Sequence, residues 1–123
     1  MGAFARGQVI TLPFPYSDLS AQKLRPALLL ADAGRGDWVL CQITSNASSD
    51  KNAVILTDND FLDGGLQRIS YARTSKLFTA HESIFRRNVG TVSQRTFEQI
   101  IQAAVDLLQK GLTSKTQENV CNT

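Results

Sequence analysis

The chain has 123 residues, 42% of them hydrophobic, enough for one domain with a modest core. Thirteen Lys and Arg against eleven Asp and Glu leave a formal charge of +2, so a basic face for an anionic partner has to be local. The first residues, Met1-Gly-Ala-Phe-Ala-Arg6, lack the apolar stretch of a leader, and no later run could span a bilayer; a cytoplasmic protein with no membrane role is expected.

In chain order, residues 8–14 read as a strand with Gly7 before it and Pro13 disturbing its end. Residues 15–24 form a polar loop, long for a hairpin connection and therefore a place to look for function. A second strand covers 24–31. Pro26 restricts Arg25 to extended backbone and so holds a cation at the strand mouth. Two readings of Arg25 stand at this point: a solvated surface arginine, or charge presented to an anionic ligand.

Residues 32–37 carry turn chemistry, 38–44 a third strand with Cys41 as a small buried residue, and 45–52 a polar loop. A fourth strand is expected at 53–57. Asp58-Asn-Asp60 and Gly64-Gly65 follow as turn signals. Residues 69–74 make a fifth strand, which continues through 76–79 across a bulge, and 85–89 a last short one. Ser93 caps an amphipathic helix whose apolar positions run from Phe97 to Leu108, with Gly111 as its stop. The expectation is a mainly β (α+β) protein: a small, strongly curved barrel of five to seven strands closed by a C-terminal helix. Residues 1–111 form a single domain, and 112–123 a polar, disordered tail.

The third strand ends in Thr44-Ser45. Adjacent hydroxyls there can bind an anion's oxygens or satisfy the turn that follows. The two cysteines, Cys41 and Cys121, suggest neither a metal site nor a disulfide framework.

Seven stretches together carry a resemblance: Arg6-Gly7, Pro13-Phe14, Leu24-Arg-Pro-Ala-Leu-Leu29, Gln42-Ile-Thr-Ser45, Ser70-Tyr-Ala-Arg73, Lys76-Leu-Phe78 and Gly90-Thr-Val-Ser93. Their types and order are similar to those of the MazF/PemK-type toxins of bacterial toxin–antitoxin systems, over residues 6–110. The resemblance implies an SH3-like barrel, a homodimer, metal-independent cleavage of single-stranded RNA without a cofactor, and a cognate antitoxin that blocks the site. Position by position, it implies catalytic roles for Arg25 and Thr44 and RNA contacts from Ser45, Gln42 and Arg73. Ser75 stands where many members have an aspartate; with Asp18 and Tyr16 of the 15–24 loop it completes the expected RNA-binding set.

Arginine suits phosphate stabilisation but is a poor general base, because it stays protonated far above neutral pH. Asp18, His81 and Glu82 are the candidates for that role, each with a structural alternative, such as an Asx-turn at Asp18. Of the adjacent Arg86 and Arg87, at most one can face RNA, since neighbours on a strand point to opposite faces. Phe14 could stack on a base or pack inward. Two non-catalytic alternatives share the barrel: a gyrase-poison-like binding protein and a degenerate member that sequesters antitoxin.

Overall fold

The computed structural model describes residues 3–14, 23–46 and 50–113. Seven strands and one helix follow in order: β1 (Gln8–Phe14), β2 (Lys23–Gly34), β3 (Asp37–Thr44), β4 (Ala53–Leu56), β5 (Phe61–Gly64), β6 (Ser70–His81), β7 (Arg87–Val92) and α1 (Gln94–Thr113). All pairings are antiparallel, in the order β4-β6-β3-β2-β1-β7-β5. The mainly β architecture with a C-terminal helix is therefore as expected, but among the described residues the pairing ends at β4 and β5, so their ladder hydrogen bonds do not close the barrel.

The central strands are buried on both faces. In β2, Ala27, Leu28, Leu29 and Leu30 are all buried, the continuous apolar run of a strand covered on both sides. On one face Val9, Leu28, Cys41, Ile43 and Ala72 meet Phe97 and Ile100 of α1. On the other, Ile10, Leu12, Ala27, Leu29 and Leu40 pack with Trp38 and Phe85. Only one α-helix exists among the described residues, so this second face is covered by aromatic side chains from the sheet's own ends. Phe85 meets Phe4 edge-on at 5.1 Å between ring centroids, and Phe78 meets Phe14 the same way at 5.1 Å.

Several boundaries differ from the sequence expectation: the last strand, expected at 85–89, runs Arg87–Val92, and β6 continues past 79 to His81. The β2–β3 hairpin turns in two residues, Arg35 and Gly36, with φ of 59° and 84°. Two successive positive φ values suit the twist of a tight hairpin, so the strands extend into the expected 32–37 turn. Helix α1 begins on the Ser93 cap, whose hydroxyl accepts the Thr96 N–H at 3.2 Å, but it runs through Gly111 to Thr113. The Gly64 region is not simply a turn: Phe61–Gly64 is an edge strand, and Gly64 pairs with Gly90 inside β7. A Cβ on Gly90 would lie 2.7 Å from the Asp63 carbonyl oxygen, so glycine is there to let two backbones approach. The expected bulge in the fifth strand is present: Cys41 pairs with Leu77 but Gln42 with Arg73, leaving Thr74, Ser75 and Lys76 as extra residues in β6.

No helix among the described residues is long and apolar enough to cross a membrane. Gly90→Ala should lower unfolding free energy by about 1–3 kcal/mol through that backbone collision, read as a reduced urea midpoint at unchanged slope. An unchanged midpoint would mean that β5 contributes nothing to global stability.

Candidate nucleic-acid interface

Cross-strand register decides which side chains meet. Arg25 pairs with Leu12, Ala27 with Gln42, Gln42 with Arg73, and Thr44 with Tyr71. Side chains alternate along each strand, so Arg25, Gln42, Thr44 and Arg73 emerge on the same face, at the end of the sheet where the second core runs out. There they line a cleft of about 490 Å³ together with Phe14 and Lys76. Pro26 shapes its mouth. Having no N–H to give a ladder, it sits where the β2–β3 pairing stops, one residue beyond Ala27↔Gln42. The two strand ends, Arg25-Pro26 and Ile43-Thr44, thus stand side by side past the last β2–β3 ladder pair.

Thr44 is held by its own turn. The Asn46 N–H donates to Thr44 Oγ1 at 3.1 Å, and the Thr44 hydroxyl donates back to the Asn46 carbonyl at 3.3 Å. The turn reading of the hydroxyl pair therefore holds, and it does not compete with the anion reading. The accepting bond fixes the oxygen, while the longer donor bond can be exchanged for a phosphate oxygen. Ser45, beside it, is exposed.

Arg73 is braced by a residue the sequence did not single out. Its Nε donates to Asp50 Oδ2 at 2.6 Å, and Asp50 Oδ1 accepts the Asn52 N–H at 2.9 Å. The Asp50 side chain keeps only 8% exposure against 30% for Arg73. With Nε committed, the two terminal nitrogens of the guanidinium carry its remaining donors. Asp50 lies in a polar loop and bonds a partner 23 positions away, a pairing no local pattern announces.

The other candidates sort clearly. His81 and Glu82 sit at the far end of β3 and β6, where Asp37 pairs with His81. Seven residues of strand, about 23 Å, separate that pair from Thr44. His81 Nδ1 accepts the Ser83 N–H at 3.1 Å, so Nε2 carries the hydrogen and donates to the Arg35 carbonyl at 3.2 Å. Glu82 accepts the Trp38 indole N–H at 3.1 Å. Both are structural. Phe14 packs inward against Phe78, and Arg86 donates back to the Ile84 carbonyl at 3.3 Å. Ser75 is exposed in the β6 bulge, outside the residues lining the cleft. Asp18 and Tyr16 lie outside the described residues. Cys41, on the opposite face, is an inert thiol whose pKa is pushed up to about 12 by burial and by the Asp50 charge.

A sequence model of the PemK-like, MazF-like toxins of type II toxin–antitoxin systems matches residues 5–108. Among curated protein sequences none matches significantly. Solved structures share the fold at low identity. A mycobacterial endoribonuclease in complex with its cognate antitoxin superposes with a TM-score of 0.68 at 21% identity, over 86% of this chain and 95% of that one. A MazE–MazF structure from Deinococcus radiodurans gives 0.67 at 18%, over 87% and 97%. The Mycobacterium tuberculosis toxin MazF-mt6 gives 0.63 at 13%, over 83% and 96%.

Two carboxylates tie this architecture to pH. The Arg73 hydrogen bond holds Asp50 below the ordinary carboxylate range despite its burial, with help from the Asn52 N–H and the charges of Arg73 and Lys76. Burial pushes Asp60 up, but hydrogen bonds from the Thr57 N–H and the Thr96 and Thr57 hydroxyls outweigh it, with help from the Arg95 charge, and hold it low. Both groups bind protons less tightly folded than unfolded. Their stabilisation is therefore complete above the unfolded value, about 3.9, and is lost as pH falls through the lower folded values. The urea midpoint should drop below about pH 4, and Asp50→Asn and Asp60→Asn should each flatten that drop. Identical pH curves for wild type and Asp50→Asn would remove the Arg73 pair from the stability account.

Proposed function

The chain belongs to the PemK-like, MazF-like toxins of type II toxin–antitoxin systems, and from that premise we propose that it is a sequence-selective endoribonuclease acting on single-stranded RNA. The observation that carries this reading is the meeting of Arg25, Thr44, Gln42 and Arg73 in one cationic cleft at the ends of rigid strands. A phosphodiester laid across the strand ends would have Arg25 as a planar fork for two of its oxygens and Thr44 as a positioned hydroxyl. Arg73 and Lys76 would supply charge along the adjoining backbone.

The chemistry asks little of the protein beyond positioning and electrostatics. The substrate's own 2′-hydroxyl attacks the neighbouring phosphorus and the bond to the 5′-oxygen breaks. A proton leaves the 2′-oxygen and one arrives on the 5′-oxygen, leaving a 2′,3′-cyclic phosphate and a 5′-hydroxyl. Because the nucleophile is already part of the substrate, no metal-bound water is required. Negative charge growing on the phosphorane is the quantity to stabilise, and Arg25 carries that role with Thr44 orienting the group. His81 and Glu82 are tied up at the other end of the sheet, which leaves Asp18 of the 15–24 loop as the remaining candidate among the three for the base. Gln42 and Ser45 flank the reacting group as RNA contacts. The protein works as a cytoplasmic homodimer silenced by a cognate antitoxin; two of the similar solved structures, an endoribonuclease with its cognate antitoxin and a MazE–MazF structure, support that partner.

In EDTA at neutral pH, wild type should cut a mixed-sequence RNA and leave cyclic-phosphate and 5′-hydroxyl ends. Arg25→Ala should lower kcat by roughly 10²–10³-fold, the cost of removing one donor to a developing oxyanion, and Thr44→Ala by less. Intact RNA with purified, folded wild type would sink the enzyme reading and favour a non-catalytic binder. Equal cutting by wild type and Arg25→Ala would place the chemistry elsewhere.

A further inference from the structure

The strand-end ridge has a second side. Arg25-Pro26 and Ile43-Thr44 also border a cleft of about 570 Å³, which Ser45, Gln67, Arg68 and Arg87 help to line. Alternation places it across the sheet from the first: Arg25 and Thr44 share a face with Gln42 and Arg73, while Leu24, Pro26, Ile43 and Ser45 belong to the opposite one. Thr11 pairs with both Pro26 and Arg87, so Arg87 falls in the same cross-strand row as Pro26. Arg68 reaches this cleft from the segment between β5 and β6.

The charge pattern is one-sided in sign. Arg73 and Lys76 line the first cleft and Arg68 and Arg87 the second, with Arg25 on the ridge between; no Asp or Glu lines either among the described residues. A chain with a formal charge of only +2 has thus gathered five cations along one continuous path over the sheet end. Of the five, Arg73 is bonded to a carboxylate, that of Asp50.

We propose that the second cleft is a substrate subsite. RNA crosses the ridge from one face of the sheet to the other, and Arg68 and Arg87 hold the backbone phosphates on the far side of the scissile bond. Gln67 reads a base there, through an exposed amide that can both donate and accept. This rests on the ribonuclease reading above and adds the flanking contacts that reading leaves open. A strand that turns over a ridge is held by charge on both slopes, and the phosphate at the crest is the one bent into the reach of Arg25 and Thr44. The first cleft alone would hold the RNA from one side only. The second makes the crossing obligatory and gives cut-site choice a place to arise.

The test pairs cleavage with binding. Arg68→Gln/Arg87→Gln should raise KM for a long RNA about 10-fold or more with kcat within about 3-fold, and should make the slope of log KM against log salt shallower by about 1.4, the share of two phosphate contacts on a single strand. Arg68→Lys/Arg87→Lys should restore the salt slope. Gln67→Ala should change the base preferred at one position of the cut site. Binding of an uncleavable 2′-O-methyl RNA, followed by fluorescence anisotropy, reads the same contacts without chemistry and should weaken in parallel with KM. Unchanged KM, salt slope and anisotropy in the double Gln variant, with wild type cutting normally, would overturn the subsite and leave the ribonuclease standing. Unchanged RNA affinity with an altered sedimentation mass would also overturn it, making this face a protein contact. If wild type binds the uncleavable RNA through Arg68 and Arg87 but cuts nothing, the subsite stands as a binding surface and the ribonuclease reading fails instead.

Discussion

The site depends on the register of β2 against β3, and on the place where Pro26 ends it. Leu28 opposite Cys41 and Leu29 opposite Leu40 put apolar side chains into two different cores, so a slip of one residue would send each set to the wrong face. With both faces apolar, the register is held by the fit of each side chain in its own core rather than by a contrast between apolar and polar faces. The cost of a slip is paid in the cores, while its chemical consequence would appear at the strand ends, where Arg25 would change faces. Pro26 then stops the ladder immediately past the buried run. The candidate site residues are thereby attached to the most rigid part of the molecule without having to be buried in it.

Electrostatics follow from the same placement. Arg25 is exposed, whereas Arg73 sits partly within the sheet and is braced by a nearly buried carboxylate. A guanidinium on a long side chain loses rotamer freedom when it grips a phosphate; one already bonded through Nε has lost part of it in advance. Asp50 offsets some of the positive charge, which weakens long-range attraction but sharpens geometry. Lys76, delivered by the β6 bulge, adds charge close by. Its three extra residues show how an irregularity in a ladder can re-aim a cation without disturbing the core beneath.

Much of this was legible in the sequence because it rests on local patterns. Alternation and apolar runs located β1, β2, β3, β4 and most of β6, and Ser93 marked the helix start. The Arg25-Pro26 pair announced a held cation through a steric rule between adjacent residues. Hidden features were those whose cause is distant in sequence. Gly64 and Gly65 look like a turn, and only the approach of Gly90 shows why Gly64 stands in a strand. Asp50 looks like a solvated loop acid until Arg73 arrives from 23 residues away. Gly111 looks like a stop, yet nothing lies within 4 Å of a Cβ placed there, so neither a clash nor a strained backbone obliges the helix to end. The Arg86-Arg87 pair announced a basic strand end without saying which of the two meets the cleft, and Arg68 carried no pattern, because a lone surface arginine acquires meaning only from what the fold sets beside it.

Thr44 shows why the structural and chemical readings of one residue need not compete. A free threonine hydroxyl would have to be ordered when substrate arrives, and the entropy of that ordering would be charged against binding. Here the Asn46 N–H already holds the oxygen in place, and the hydroxyl's own proton makes the longer of the two bonds. Exchanging a 3.3 Å bond to a carbonyl for a charge-assisted one to a phosphate gains strength without moving the oxygen. The turn that ends β3 and the group that would orient a phosphate are thus one device. A strand end is the natural place for it, because only there do backbone groups remain available to hold a side chain that must face outward.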